Sequence, residues 1–302
     1  MRKMFTLSLL CLLSIGLFAQ TDNQVEVTYD RRDGTALTLT ILKPKTANGK
    51  GIISLLSGNF VSNYNLFDVY KTRALTLVNH GYTVFLVMHR SAPRFALPDM
   101  LEDIQRSVQF VRYHAAEYKI DPNKLGITGT SSGGHLALLT GFTADIANPS
   151  SKDPIARISS SVQAIAVFCP PTDFLNFGKA GYNLAADYQT LQHIGALGAF
   201  QYSQYDSLTQ TFHQVTDPEQ RRKIDSLMSP VQLVGKNTPP VLLMHGDKDT
   251  LVPFQQSASL ATKLKNFGIP VKLIIKNGAD HGWKGMNEDE KDFNSWFDQY
   301  LR

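Results

Sequence analysis

The chain has 302 residues, of which 30 are basic and 26 acidic, so its formal net charge is only +4. This near balance gives no electrostatic argument for binding nucleic acid or an anionic membrane surface. Its two cysteines, Cys11 and Cys169, form no Cys-x-x-Cys pair or Cys/His cluster. We therefore expect neither a disulfide framework nor a metal or other cofactor.

The first 20 residues have the layout of a secretory signal peptide. Arg2 and Lys3 precede an apolar run over 4–18, and Ala19 leads into polar residues. The alternative is an uncleaved membrane anchor, but the run is shorter than the about 20 apolar residues that span a bilayer. We predict a signal peptide over 1–20, a mature chain over 21–302 with no integral membrane segment, and a secreted or periplasmic location.

The apolar pattern after the signal peptide changes along the chain. Segments 25–29 and 37–42 alternate apolar and polar residues, as half-exposed antiparallel strands do. Nearly continuous apolar runs, typical of strands covered on both faces, follow at 51–56, 82–88, 162–168, 241–244 and 271–275. The clearest helix is predicted from Leu97 to about Tyr118, where apolar residues recur at helical spacing. This alternation predicts one α/β domain with a mostly parallel central sheet flanked by helices.

Segment 173–235 interrupts the alternation of strands and helices. It is polar and aromatic, and it is longer than a crossover helix requires. A helix is predicted over 218–228, with Asp217 as its N-cap and Pro218 at the first helical position. Long excursions inside compact folds commonly act as lids, so we predict an inserted cap, with a purely decorative insertion as the alternative.

The strongest catalytic signal is the run GTSSG at 129–133. It follows an apolar strand over 125–128 and precedes a helix, which is the strand–turn–helix context of a nucleophile elbow. Gly129 and Gly133 suit a sharp turn in which larger side chains would collide with backbone. Ser131 at the apex is the predicted nucleophile. Ser132 is the competing serine, but we expect its side chain to point elsewhere and its backbone N–H to help form an oxyanion hole.

Two later strand ends carry an acid and a base. The strand over 241–244 leads into a loop with Asp247 and Asp249, and the strand over 271–275 leads into Asp280 and His281. The order serine, aspartate, histidine is that of α/β-hydrolases, whose strand ends share one edge of the sheet. His281 is the predicted base and Asp249 the acid that orients it. Asp247 and Asp280 are expected to be solvated loop charges, and His245 to hold the loops in place.

From about residue 51 to its end, the chain resembles the hormone-sensitive-lipase-like and feruloyl/acetyl-esterase-like α/β-hydrolases of bacteria. The letters MHRSAP at 88–93 stand where those proteins have Y-R-L-A-P, and 97–104 matches F-P-x-x-L-E-D-V. Residues 120–125 match I-D-P-x-R-I, and 280–282 match the loop of the base. Residues 245–253 match H-G-x-x-D-x-x-V-P, which implies that the acid is Asp249 rather than Asp247.

One departure from the family pattern affects the oxyanion loop. The family has H-G-G-G-W, whereas this chain has LSGNF at 56–60. The resemblance implies that the amides of Gly58 and Asn59 face the oxyanion together with that of Ser132. Loss of one such donor can cost about 10²–10³-fold in rate.

The resemblance implies a secreted serine carboxylic-ester hydrolase that needs no cofactor. Its expected substrate is an acyl ester, with acetyl or feruloyl-type groups carried on carbohydrate. One alternative is a general short-chain esterase or lipase. Another is a serine peptidase of the prolyl-oligopeptidase type, whose propeller domain has no counterpart in these 302 residues. A third is a non-catalytic binding protein on the same fold, which would usually lack members of the triad.

Overall fold

The computed structural model describes residues 24–302. The predicted signal peptide over 1–20 lies outside these residues and stays a prediction. No helix within 24–302 combines the length and the apolar character that crossing a membrane requires.

An eight-stranded sheet organises the described chain. In spatial order its strands are β1 (Gln24–Arg32), β2 (Thr35–Leu42), β4 (Thr83–Val87), β3 (Gly51–Leu55), β5 (Leu125–Thr130), β6 (Ala164–Phe168), β9 (Val241–Gly246) and β10 (Val271–Lys276). The first three strands of this order pair antiparallel, and every later pair is parallel. The predicted mostly parallel sheet is therefore confirmed, and its parallel strands present their carboxyl ends along one edge.

Helices cover both faces of the sheet. They are α1 (Phe67–Asn79), α2 (Leu97–Tyr113), α3 (Ser132–Phe142), α6 (Gln255–Asn266) and α7 (Lys291–Tyr300). One buried apolar cluster joins α2, α3 and α6 to one face, and a second joins α1 and α7 to the other. Buried β-strands between two such layers explain the unbroken apolar runs of β3, β4 and β6.

Two expectations about these elements need correction. Helix α2 ends at Tyr113, because the next residues turn and bury Ala115 and Tyr118 outside the helix. The run over 271–275 is not covered on both faces. It forms the edge strand β10, and Ile275 is 46% exposed.

Segment 173–235 contains two further helices and a hairpin. These are α4 (Tyr188–His193), α5 (Pro218–Leu227) and the two-stranded ribbon of β7 (Ser203–Asp206) and β8 (Thr211–Gln214). Helix α5 agrees with its prediction to within one residue, and Asp217 Oδ1 accepts a hydrogen bond from Gln220 N at 2.8 Å. The hairpin was not predicted, since its polar strands carry little of the apolar alternation that marks a half-buried sheet.

A buried ion pair explains why two non-catalytic motifs match the family. Arg90 follows β4 and Asp103 lies on α2, and Arg90 Nη2 is 2.9 Å from Asp103 Oδ1. Arg90 Nε also donates to the same carboxylate at 3.0 Å, and both side chains are almost completely buried. The pair ties the loop after β4 to α2, and removing Arg90 would deprive the buried Asp103 carboxylate of its hydrogen-bonded counter-charge.

Candidate active site

Ser131 occupies the sharp turn between β5 and α3. Its backbone angles are φ 55° and ψ −121°, a conformation that non-glycine residues adopt only under strain. The turn is closed by a hydrogen bond from Ser131 N to Phe168 O at 2.9 Å. A Cβ atom on Gly129 would lie 2.4 Å from the backbone of Gly133, so the turn requires glycine there. The geometry holds the half-buried Ser131 side chain at the carboxyl end of β5.

Three side chains from separate strand ends form one hydrogen-bonded chain. His281 Nε2 is 2.9 Å from Ser131 Oγ, and His281 Nδ1 is 2.8 Å from Asp249 Oδ2. The carboxylate can only accept, so Nδ1 carries the proton and Nε2 is the acceptor that faces the serine hydroxyl. The structure thus brings together the three residues that the sequence singled out, in the arrangement that lets a histidine take a proton from serine.

The Asp249 side chain is completely buried, and two backbone amides and the His281 ring donate hydrogen bonds to it. Its Oδ1 accepts from Val252 N at 2.7 Å and Leu251 N at 3.0 Å. Burial on its own would raise the pKa of the Asp249 carboxyl. Hydrogen bonds from His245, His281 and the Val252 amide outweigh burial and hold this pKa well below its usual range. Asp249 is therefore ionised, and its negative charge stabilises a positive charge on His281.

The two other aspartates of these loops do not touch the His281 ring. Asp247 Oδ1 accepts from Gly278 N at 2.6 Å, which ties the loop after β9 to the loop after β10. Asp280 Oδ1 accepts from Thr250 N at 2.8 Å and from His281 N at 2.8 Å. Both carboxylates brace the loops that carry the acid and the base.

Ser132 is the first residue of α3, and its side chain is buried. Its Oγ lies 3.1 Å from Ser57 Oγ, so the hydroxyl is turned away from His281. The first amides of a helix have no acceptor within the helix. The Ser132 N–H at the edge of the pocket is thus placed to receive negative charge.

The expectation for Gly58 in the oxyanion loop is wrong. Gly58 N already donates to Val61 O at 3.0 Å, and Val61 N donates back to Gly58 O at 2.9 Å. Asn59 and Phe60 between them both have positive φ, at 49° and 62°, as in a tight type I′ turn. Asn59 lines the pocket beside Ser131, and its N–H donates to no acceptor among residues 24–302. The loop therefore offers the amide of Asn59 to the pocket, whereas the amide of Gly58 hydrogen-bonds within the loop.

A small apolar pocket opens beside Ser131. Its volume is about 40 Å³. Segment 173–235 contributes half of its lining, namely Phe174, Phe177, Leu184, Leu191, Ile194, Ala196 and Phe200. Sequence reasoning missed most of these residues, because they are scattered over irregular chain with no common spacing. Among the aromatic residues of this segment, Phe200 lines the pocket, whereas Phe212 on the hairpin is 73% exposed.

Within residues 24–302, one group of side chains has the spacing of metal ligands. The ligand atoms of Cys169, His245 and Asp249 lie within 4.8 Å of one another, and all three residues are buried. Burial is the main cause that raises the pKa of the Cys169 thiol to about 12, and the nearby charge of Asp249 contributes to the rise. Cys169 is therefore a neutral thiol beside Asp249.

Comparison with known proteins agrees with this geometry. The model of the BD-FAE family matches residues 39–264. A probable carboxylic ester hydrolase, LipM of Mycobacterium tuberculosis, is 27% identical over 199 residues, which are 65% of this chain and 41% of that protein. A probable isoprenylcysteine α-carbonyl methylesterase of Arabidopsis thaliana is 25% identical over 80% of this chain and 48% of its own length. The chain thus spans less than half the length of either relative.

Among solved structures, a truncated carbohydrate esterase from gut microbiota has a TM-score of 0.70 and 26% identity. The match covers 91% of this chain and 96% of that one. The two proteins therefore share the fold over almost their whole described length.

Proposed function

The chain belongs to the BD-FAE family, and we propose on this basis that it is a serine carboxylic-ester hydrolase. Ser131 is the nucleophile, His281 the base and Asp249 the acid of its triad. The observation that carries this proposal is the continuous hydrogen-bonded chain from Asp249 through His281 to Ser131 Oγ, at 2.8 and 2.9 Å. The apolar pocket beside the serine supplies a place for the acyl group.

The first half of the reaction transfers the acyl group to the enzyme. Ser131 Oγ attacks the ester carbonyl while His281 Nε2 takes the hydroxyl proton, and Asp249 stabilises the imidazolium. The carbonyl oxygen becomes an oxyanion that the N–H groups of Ser132 and Asn59 stabilise. His281 then gives its proton to the departing alcohol oxygen, and the acyl group stays on Ser131.

The second half repeats these steps with water. His281 removes a proton from water as its oxygen attacks the acyl carbon, and the same amides hold the new oxyanion. The bond to Ser131 Oγ breaks, His281 returns the proton to that oxygen, and the carboxylic acid leaves. No step requires a group other than the side chains and amides already described.

The size of the pocket favours short acyl groups. The pocket is small, at about 40 Å³, and its walls are almost entirely apolar side chains. An acetyl group has three heavy atoms, whereas a feruloyl group or a fatty acyl chain has far more. We therefore favour acetyl over feruloyl esters, with segment 173–235 acting as the cap that closes the acyl side.

The alcohol side of the substrate is proposed to be carbohydrate. The pocket offers almost only apolar side chains, so a sugar would bind outside it. The similarity to a carbohydrate esterase at 26% identity supports this choice. We also propose that the enzyme acts outside the cytoplasm. N-terminal sequencing of the exported protein tests this, with a start near residue 21 expected and a retained residue 1 contradicting it.

The proposal is tested by specificity constants for a panel of substrates. The panel compares p-nitrophenyl acetate, acetylated xylan, methyl ferulate, a long-chain acylglycerol and a prolyl anilide, with Ser131→Ala as the control. Acetylated substrates should be best and the control inactive. Faster cleavage of the anilide or the acylglycerol would refute the proposed substrate class, and equal turnover by Ser131→Ala would refute the mechanism.

A further inference from the structure

His245 lies behind the proposed acid and is the last residue but one of β9. Its side chain is completely buried, and both ring nitrogens have partners. Nδ1 is 2.7 Å from Ser257 Oγ, and Nε2 is 2.9 Å from Val252 O. The same Nε2 lies 3.1 Å from Asp249 Oδ2.

These contacts determine where the proton of His245 resides. A carbonyl oxygen can only accept, so Nε2 carries a proton that it donates to Val252 O, with Asp249 Oδ2 3.1 Å from the same nitrogen. Nδ1 is then free to accept from the Ser257 hydroxyl. A neutral ring with its proton on Nε2 satisfies both hydrogen-bonding neighbours.

Asp249 Oδ2 thus lies within 3.1 Å of a ring nitrogen from each of two imidazoles. His281 Nδ1 is 2.8 Å away on the side of the nucleophile, and His245 Nε2 is 3.1 Å away on the side of the core. The thiol of Cys169 also faces this carboxylate. Each donor draws electron density from Oδ2, so the donors on the core side weaken the hold of Asp249 on a protonated His281.

We propose that His245 is a positioning residue that fixes the Asp249 carboxylate and tunes the basicity of His281 through it. This inference rests on the proposed function. The titratable and charged groups around the pair are His281, Cys169, Asp280 and, at longer range, Arg73 of α1. All of them are unchanged when only His245 is replaced.

Two substitutions of His245 distinguish an effect on the basicity of His281 from a purely structural role in holding the loop. The amide of His245→Asn can replace Nδ1 toward Ser257 but is too short to reach Asp249. The longer amide of His245→Gln can donate to Asp249. The measurement is the pH profile of kcat/KM for p-nitrophenyl acetate between pH 4.5 and 9.

In His245→Asn, Asp249 loses one donor and stabilises the imidazolium of His281 more strongly. The acid limb of the profile should therefore move to higher pH by about 0.5–1 unit, and His245→Gln should return it toward that of the unmodified enzyme. An unmoved limb, or a move to lower pH in a folded variant, overturns the inference. Lack of any ester hydrolysis by the unmodified enzyme would instead overturn the proposed function.

Nitrogen NMR of the unmodified enzyme tests the same inference if neither variant folds. His245 should show a proton on Nε2 and none on Nδ1. A proton on Nδ1 alone would contradict the inference.

Discussion

The hydroxyl of Ser132 faces that of Ser57, with the two oxygens 3.1 Å apart and both side chains buried. Ser132 is thus engaged on the side of the elbow away from His281. What it offers to the pocket is its backbone N–H, at the start of α3.

Replacing Ser132 by alanine should therefore leave most of the activity. The amide that stabilises the oxyanion remains in Ser132→Ala, so kcat should stay within about tenfold of the unmodified enzyme. The check is kcat for p-nitrophenyl acetate, with Ser57→Ala as the matched control that removes the other hydroxyl. A drop of several orders of magnitude in Ser132→Ala alone would assign a catalytic role to its hydroxyl.

The assignment of Asp249 as the acid of the triad is tested by substituting it and, for comparison, the nearby Asp247. Asp249→Asn should lower kcat by about 10⁴-fold, because an amide donates toward Nδ1 and imposes the wrong tautomer on His281. Asp247→Asn should cost far less, since Asp247 only accepts from Gly278 N. Kinetics of the two variants side by side decide the matter, and the reverse ranking would move the acid to Asp247.

Segment 173–235, the proposed cap, should set the length of the acyl group. Ile194→Ala enlarges the pocket at a half-buried wall, so kcat/KM for p-nitrophenyl butyrate relative to acetate should rise by about tenfold. Ala196→Val adds two carbons to the same wall and should lower that ratio. A ratio that neither variant changes would show that acyl length is decided elsewhere.

Glu290 provides a prediction about stability and pH. It is buried, and its Oε2 has no hydrogen-bond partner among residues 24–302. Burial raises the pKa of its carboxyl from 4.5 to about 8, against the opposing charge of Arg73. The folded protein thus holds a proton that the unfolded chain releases above pH 4.5. This contribution to stability is present at low pH and is lost as pH rises from about 4.5 to about 8.

Glu290→Gln should remove this pH dependence. At pH 5 the melting temperature of the variant should be similar to that of the unmodified protein. At pH 9 it should be higher, by about 2–4 °C for each kcal/mol by which the free energy of unfolding increases. Thermal unfolding at the two pH values checks the difference. If the melting temperatures of both proteins change equally between pH 5 and pH 9, Glu290 is ionised or paired in the folded state and the prediction is wrong.

The elements that place the site could be predicted because their signals are local. The strand–turn–helix around Ser131 lies within one short stretch, and Asp249 and His281 follow apolar runs that form neighbouring parallel strands. Strand ends of a parallel sheet meet at one edge, so the order of the elements was enough to bring these residues near one another.

Other features depend on contacts that no local pattern encodes. The Gly58 amide donates its hydrogen bond to Val61 O. This bond results from the closure of a four-residue turn, and the residue types of the loop do not predict it. His245 was expected only to hold loops, and its contact with Asp249 appears once β9 and the following turn are built. The pocket wall contains residues from irregular segments, such as Leu184 and Ile194. Only the tertiary fold brings these residues to the same pocket.

The central claim is that Ser131 is the nucleophile that carries the acyl group. The most direct test labels the purified enzyme with a fluorophosphonate and locates the adduct by peptide mass spectrometry. The reagent phosphonylates a serine that a neighbouring base activates, and within residues 24–302 Ser131 is the one serine whose Oγ hydrogen-bonds to His281 Nε2. We predict one adduct, on Ser131. An adduct on Ser132 or elsewhere, or no adduct on the folded enzyme, would contradict the claim.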